Sequence, residues 1–146
     1  LDESGTPLHG DDYTFEPGRD ELVRDATSNG GFVISFGATF HRALDAVERL
    51  RADGMDVGLV NKPTLNVVDD DMLAKIGAAR WVLVAEELNQ RTGLGSRMGT
   101  WLLQRGFTPK YDHVGTHREG CCGLWQHMGH QGIDSEQLQA KIREMV

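Results

Sequence analysis

The stretch that decides the fold is Trp81-Val-Leu-Val-Ala-Glu-Glu87, followed after five residues by Gly93-Leu-Gly-Ser96 and a helical pattern carrying Met98, Trp101 and Leu102. A short unbroken apolar run reads as a strand buried on both faces, the kind found inside a parallel sheet. Two carboxylates at its end, then glycines that turn the chain into a helix, are how an open α/β sheet presents a carboxyl edge to a ligand or a neighbour.

Working outward, Phe32-Val-Ile-Ser-Phe36 predicts a second apolar strand closed by Gly37. Phe40, Ala43, Leu44, Val47 and Leu50 follow at helical spacing until Gly54 ends the pattern. Asp56 to Val60 predicts another strand, and a polar turn with Pro63 leads to Asp69-Asp-Asp71, which can cap a helix bearing Met72, Leu73 and Ile76. Gly106 stops the helix after the quoted strand, and Tyr111-Asp-His-Val-Gly115 predicts the last strand. Asp134-Ser-Glu-Gln137 has capping-box spacing and opens an amphipathic helix with Leu138, Ile142 and Met145. Glu21 to Asp25 is a weaker strand, suited to a sheet edge. Strands alternating with helices call for a mainly parallel sheet covered on both faces through right-handed crossovers.

With 146 residues, 39% of them hydrophobic, the chain can build one complete core but not two typical domains. Residues 1–18 hold three glycines, two prolines and five acidic residues without an apolar period, and read as an extended lead-in from an upstream domain. Residues 19–146 form the expected domain. The chain opens on Leu1 rather than methionine, which leads us to expect a longer parent polypeptide. A net charge of −7 leaves no basic stripe to neutralise phosphates, which excludes nucleic acid and anionic membrane surfaces as expected partners. No apolar run approaches the roughly 20 residues that span a bilayer. The only cysteines, Cys121 and Cys122, are neighbours that cannot staple distant segments, so a cytoplasmic protein is expected.

Taken in order, several segments resemble the C-terminal domain of transketolase-like thiamine-diphosphate enzymes, a group that spans transketolase, 1-deoxyxylulose-5-phosphate synthase and the beta subunit of the first component of 2-oxo-acid dehydrogenases. Pro17-Gly-Arg-Asp-Glu-Leu-Val-Arg24 is similar to the family's lead-in strand, Phe32 to Gly37 to its strand ending in Ser-x-Gly, and Leu44 to Gly54 to its helix end. Thr64-Leu-Asn-Val-Val-Asp69 resembles its Thr-Leu-x-Pro-Leu-Asp turn, with Val67 at the proline position. Glu86-Glu87 with Gly93-Leu-Gly-Ser96 resembles its Glu-Glu, then Gly-Gly-x-Gly-Ser signature, with Thr92 at the first glycine. The resemblance implies a three-layer α/β/α sandwich whose five-stranded, mostly parallel sheet has an antiparallel first strand at its edge. It also implies that thiamine diphosphate and Mg²⁺ are held by upstream pyrimidine- and diphosphate-binding domains or subunits. This chain has no Gly-Asp-Gly … Asn segment of the kind that holds the diphosphate, and no cofactor is expected on it. The implied role is assembly, including a homodimer interface, without catalysis in isolation.

The possible contact residues are Glu86, Glu87, Gly93, Gly95, Ser96, His117 and Arg118. A carboxylate at a strand end could transfer a proton. Alternation sends Glu86 and Glu87 to opposite faces, so capping of nearby amides or an interface contact is the simpler role. Gly93 to Ser96 could cradle an anion at a helix start, yet it lacks both the dinucleotide fingerprint and the Walker lysine, and a tight turn with Ser96 capping the helix is expected instead. His117 and Arg118 could reach a substrate phosphate in a neighbouring domain. His113, His117, Cys121, Cys122, His127 and His130 are dense in metal-ligand chemistry, but adjacent cysteines depart from zinc-knuckle spacing. His113 is expected to end a strand, and Leu124, Trp125 and Met128 to line one side of a short helix. The competing reading is a stand-alone flavodoxin-like module that binds an anionic effector at the carboxyl edge.

Overall fold

The computed structural model describes residues 5–119 and 124–146, and of residues 124 and 125 only their place in a helix. The strands are β1 (Glu21–Arg24), β2 (Gly31–Ser35), β3 (Val57–Asn61), β4 (Trp81–Asn89) and β5 (Lys110–Thr116). The helices are α1 (Gly37–Ala52), α2 (Asp70–Gly77), α3 (Leu94–Gln104), α4 (Leu124–Gln131) and α5 (Ser135–Met145). The sheet runs β1-β3-β2-β4-β5. β2 pairs in parallel with β3 and β4, and β4 with β5, while β1 lies antiparallel to β3 at the edge, as expected.

Strand alternation splits the core into two layers. Val33, Val57, Leu59, Trp81, Leu83 and Ala85 pack with the apolar stripes of α1 and α5. Phe32, Ile34, Val60, Val82 and Val84 pack with Leu73 and Ile76 of α2 and with Leu94, Met98 and Leu102 of α3. The result is the three-layer α/β/α sandwich. Because β2 and β4 send their following helices to opposite faces, their carboxyl ends flank the point where the strand order reverses.

Several local expectations hold and others need correction. Asp69 caps α2 by accepting from Met72 N at 3.2 Å, and Asp134 caps α5 by accepting from Gln137 N at 2.9 Å. The second half of that capping box is missing, because Gln137 Nε2 donates to Gly129 O instead. β4 runs four residues beyond Ala85, carried by pairing with β5 that shifts register and resumes at Asn89 opposite Thr116. His113 therefore lies within β5 rather than at its end. Among the described residues no helix is long and apolar enough to cross a membrane. Residues 5–18 carry neither helix nor strand, although Leu8 packs against the α1 core layer.

Candidate functional site

The carboxyl ends of β2 and β4 bring together Ser35, Gly37, Glu86 and Glu87. Ser35 is buried and its hydroxyl donates to Ala85 O at 2.8 Å, which ties the two strand ends to each other. Glu86 continues the face of Val82 and Val84 and points beneath α3. It is fully buried, and its two carboxylate oxygens accept from Leu94 N at 2.6 Å and Gly95 N at 2.8 Å. These are first-turn amides of α3, so a protein carboxylate already sits where the positive end of the helix would attract an anion.

The glycines of the motif are explained by what they make room for. A Cβ at Gly93 would collide with the Glu86 carboxylate, and one at Gly95 would lie 2.5 Å from His113 Cβ. Gly93 thus admits the capping carboxylate, and Gly95 lets α3 settle against β5. Ser96 does not cap α3. Its hydroxyl donates to Gln90 O at 3.1 Å and Arg91 O at 2.9 Å, closing the loop behind the helix rather than its amides. Gly93 is the N-cap residue and has no side chain to offer, which leaves the capping to Glu86 from a distant strand.

The same loop is pinned to β5. Gln90 Nε2 donates to His113 O at 2.8 Å, and His113 Nε2 bonds Gln90 O at 2.9 Å. Tyr111 donates its hydroxyl to Gly95 O at 2.5 Å, and burial pushes its phenol well above the usual value. His113 is committed to this network. Among the described residues no three His, Cys, Asp or Glu side chains gather so as to hold a metal ion, and Cys121 and Cys122 lie outside those residues.

Glu87 behaves differently. It is half-buried on the α1 face, with Oε1 only 2.6 Å from where a Cβ on Gly37 would stand. Gly37 opens α1 at φ +60, and the N-cap residue Phe36 contributes no side-chain cap. Among the described residues the Glu87 carboxylate has no hydrogen-bond or ion-pair partner. The structure therefore separates the two glutamates, as alternation requires.

His117 and Arg118 follow β5 and are exposed. Their backbone is clamped by the buried Gln131, whose Oε1 accepts from both amides at 2.8 and 2.9 Å while its Nε2 donates to Arg118 O at 2.7 Å. The two side chains lean on each other, Arg118 Nε donating to His117 Nε2 at 3.3 Å. His130 Nε2 bonds Glu119 O at 3.0 Å.

Sequence reading missed the buried polar groups beside β3. Lys62, just after β3, is 1% exposed, and its Nζ donates to Asp20 Oδ1 and Oδ2 at 2.8 and 3.1 Å. A lone lysine before a proline carries no pattern that would mark it. Asp69, the expected helix cap, is also the acceptor for Asp20 N at 2.9 Å and the partner of Arg19 at 3.2 Å. Although burial pushes the Asp69 carboxyl up, the amides of Asp20 and Met72 and the Arg19 charge hold it below its ordinary value.

Comparison with known proteins matches residues 21–116 to the family described as "Transketolase, C-terminal domain". A transketolase family protein of Sinorhizobium fredii is 35% identical over 99 residues, covering 66% of this chain and 28% of that protein. One of the subunits of an apulose-4-phosphate transketolase from Actinobacillus succinogenes is 28% identical over 137 residues, covering 90% of this chain and 43% of that subunit. The 1-deoxy-D-xylulose-5-phosphate synthase of Geobacillus thermodenitrificans is 31% identical over 104 residues, 70% of this chain and 16% of the enzyme. The chain thus spans less than half the length of these relatives. A solved structure described as "Split gene transketolase, inactive beta4 tetramer" superposes with a TM-score of 0.84 at 22% identity, over 96% of this chain and 46% of that one.

Proposed function

The chain belongs to the transketolase C-terminal domain family, and on that premise we propose that it is the assembly domain of a transketolase-like enzyme and is inactive alone. In this reading it packs against pyrimidine- and diphosphate-binding domains or subunits, helps to close a homodimer, and works in the cytoplasm. Thiamine diphosphate and Mg²⁺ belong to those other parts of the enzyme, where the cofactor supplies the carbanion chemistry of ketol or acyl transfer. The residues of this chain do not fit the cofactor. They lack the diphosphate-binding segment, and Glu86 repels a diphosphate from the α3 amides.

The observation that carries the proposal is the pair of hydrogen bonds from Leu94 and Gly95 to Glu86. They make the family's glycine signature a piece of internal structure and weigh against the effector-binding module. A relative named as one subunit of a transketolase supports the idea of separate partner chains. So does a structural neighbour described as a split-gene transketolase in the form of an inactive beta4 tetramer.

The test is reconstitution. Supplied with thiamine diphosphate, Mg²⁺ and a ketose or a 2-oxo acid, the isolated chain is expected to turn nothing over, and activity is expected once a polypeptide carrying the pyrimidine- and diphosphate-binding domains is added. Turnover by the chain alone would overturn the assignment.

A further inference from the structure

Residues 18–20 precede β1 and have no regular secondary structure, yet the domain holds each of them. Gly18 N donates to Thr64 Oγ1 at 3.0 Å. Arg19 reaches Asp69 and Asp71, each at 3.2 Å. Asp20 N donates to Asp69 Oδ2 at 2.9 Å, and the Asp20 carboxylate, with a side chain 4% exposed, takes both bonds from Lys62 Nζ. Lys62 in turn is fully engaged. Its Nζ donates a third bond to Val67 O at 2.8 Å and lies 5.6 Å from the centre of the Trp101 ring, while its backbone N–H donates to Ser35 O at the end of the central strand β2. The turn beneath this contact needs glycine at position 18, where φ is +89 and a Cβ would press on Val67 Cγ1 at 3.1 Å.

A buried ion pair adds little net stability, because its attraction is offset by desolvation of both charges, whereas leaving one charge buried without its partner is strongly unfavourable. Inside a sheet that imbalance would unfold the domain. Here one partner sits on a segment outside the sheet, which can swing into water and rehydrate both groups. Burial also pushes the Asp20 carboxyl above its ordinary range despite the lysine beside it, as expected of a pair held near balance.

We propose that Asp20 and Lys62 form a latch, which docks Gly18–Asp20 onto the β3–α2 loop, sets with the contacts of His9 and Tyr13 to Glu21 of β1 the path that residues 5–17 take over the domain, and opens without unfolding the sheet. Its use in orienting an upstream domain rests on the function proposed above. The latch itself is tested on the 146-residue chain alone, so the two ideas can fail separately.

The test is amide hydrogen exchange in Lys62→Met and Asp20→Asn and in the double variant. Each single change is expected to speed exchange at Gly18 and Asp20 by about tenfold or more while Ile34 of β2 and Leu83 of β4 stay within about twofold. The double variant, which buries no lone charge, is expected to recover most of the protection. Unchanged exchange at Gly18 and Asp20 in both single variants would overturn the latch. So would equal acceleration at Ile34 and Leu83, which would make the pair part of the global fold, or a double variant as open as the worse single one.

Discussion

Glu86 and Glu87 are chemically identical neighbours at the end of one strand, and the protein treats them in opposite ways. Glu86 turns to the α3 face, disappears from solvent and saturates its oxygens with two helix amides. Glu87 turns to the α1 face, stays half-buried beside Gly37, and among the described residues bonds to nothing. Both lie at the amino-terminal, positive end of a long helix. Residue type and helix polarity therefore do not by themselves make an anion site. What decides is whether the turn lets a carboxylate reach the amides, and Gly93 does so for α3.

The largest effect of a single substitution is expected at Glu86. Glu86→Ala should lower stability by about 3 kcal/mol, because it strands two buried amides and leaves a void, whereas Glu87→Ala should cost less than about 0.5 kcal/mol. Denaturant unfolding of both variants checks the pair of values, and equal losses would erase the distinction. Gly93→Ala comes next, at about 2 kcal/mol, since its methyl group must displace the capping carboxylate. Gly37→Ala should cost about 1 kcal/mol, chiefly through its positive φ, because the Glu87 carboxylate that its methyl group would meet is held by no bond among the described residues and can move aside.

The capping carboxylate of another helix extends the contrast to pH. Asp69 caps α2 and is held below its ordinary value in the fold. A lowered folded value means that its stabilisation is complete above the unfolded value near pH 4 and is lost as pH falls through the folded one. Asp69→Asn should therefore cost about 1 kcal/mol at pH 7 and flatten the acid side of the stability curve. A wild-type curve with the same acid slope would contradict this. A small effect is also expected at Ser96→Ala, about 0.5 kcal/mol, because its hydroxyl braces the Gln90 and Arg91 carbonyls and leaves the helix amides untouched.

These contrasts also mark where sequence stops being legible. Apolar runs such as Trp81 to Ala85 and stripes such as Phe40 to Leu50 determine strands, helices and layers by periodicity alone, and the order of motifs is enough to identify the family. The opposite facing of Glu86 and Glu87 also follows from strand alternation. That Glu86 rather than Ser96 caps α3 does not, because the acceptor comes from a strand eight residues upstream of Leu94 and no local capping pattern encodes it. The Asp20–Lys62 contact spans 42 positions and depends on the pairing of β1 with β3, which only the folded sheet creates. Lys62 and Asp20 look like ordinary surface charges in the chain, and tertiary burial alone gives them a role.

Glu86 occupies the amides at the start of α3, so the glycine signature is structural. The most direct measurement is a titration of the isolated chain with inorganic phosphate and nucleotides, followed through the Leu94 and Gly95 amide resonances. No shift of either amide up to millimolar ligand is predicted, whereas saturable binding at micromolar concentration with movement of both would show that these amides are open to an external anion.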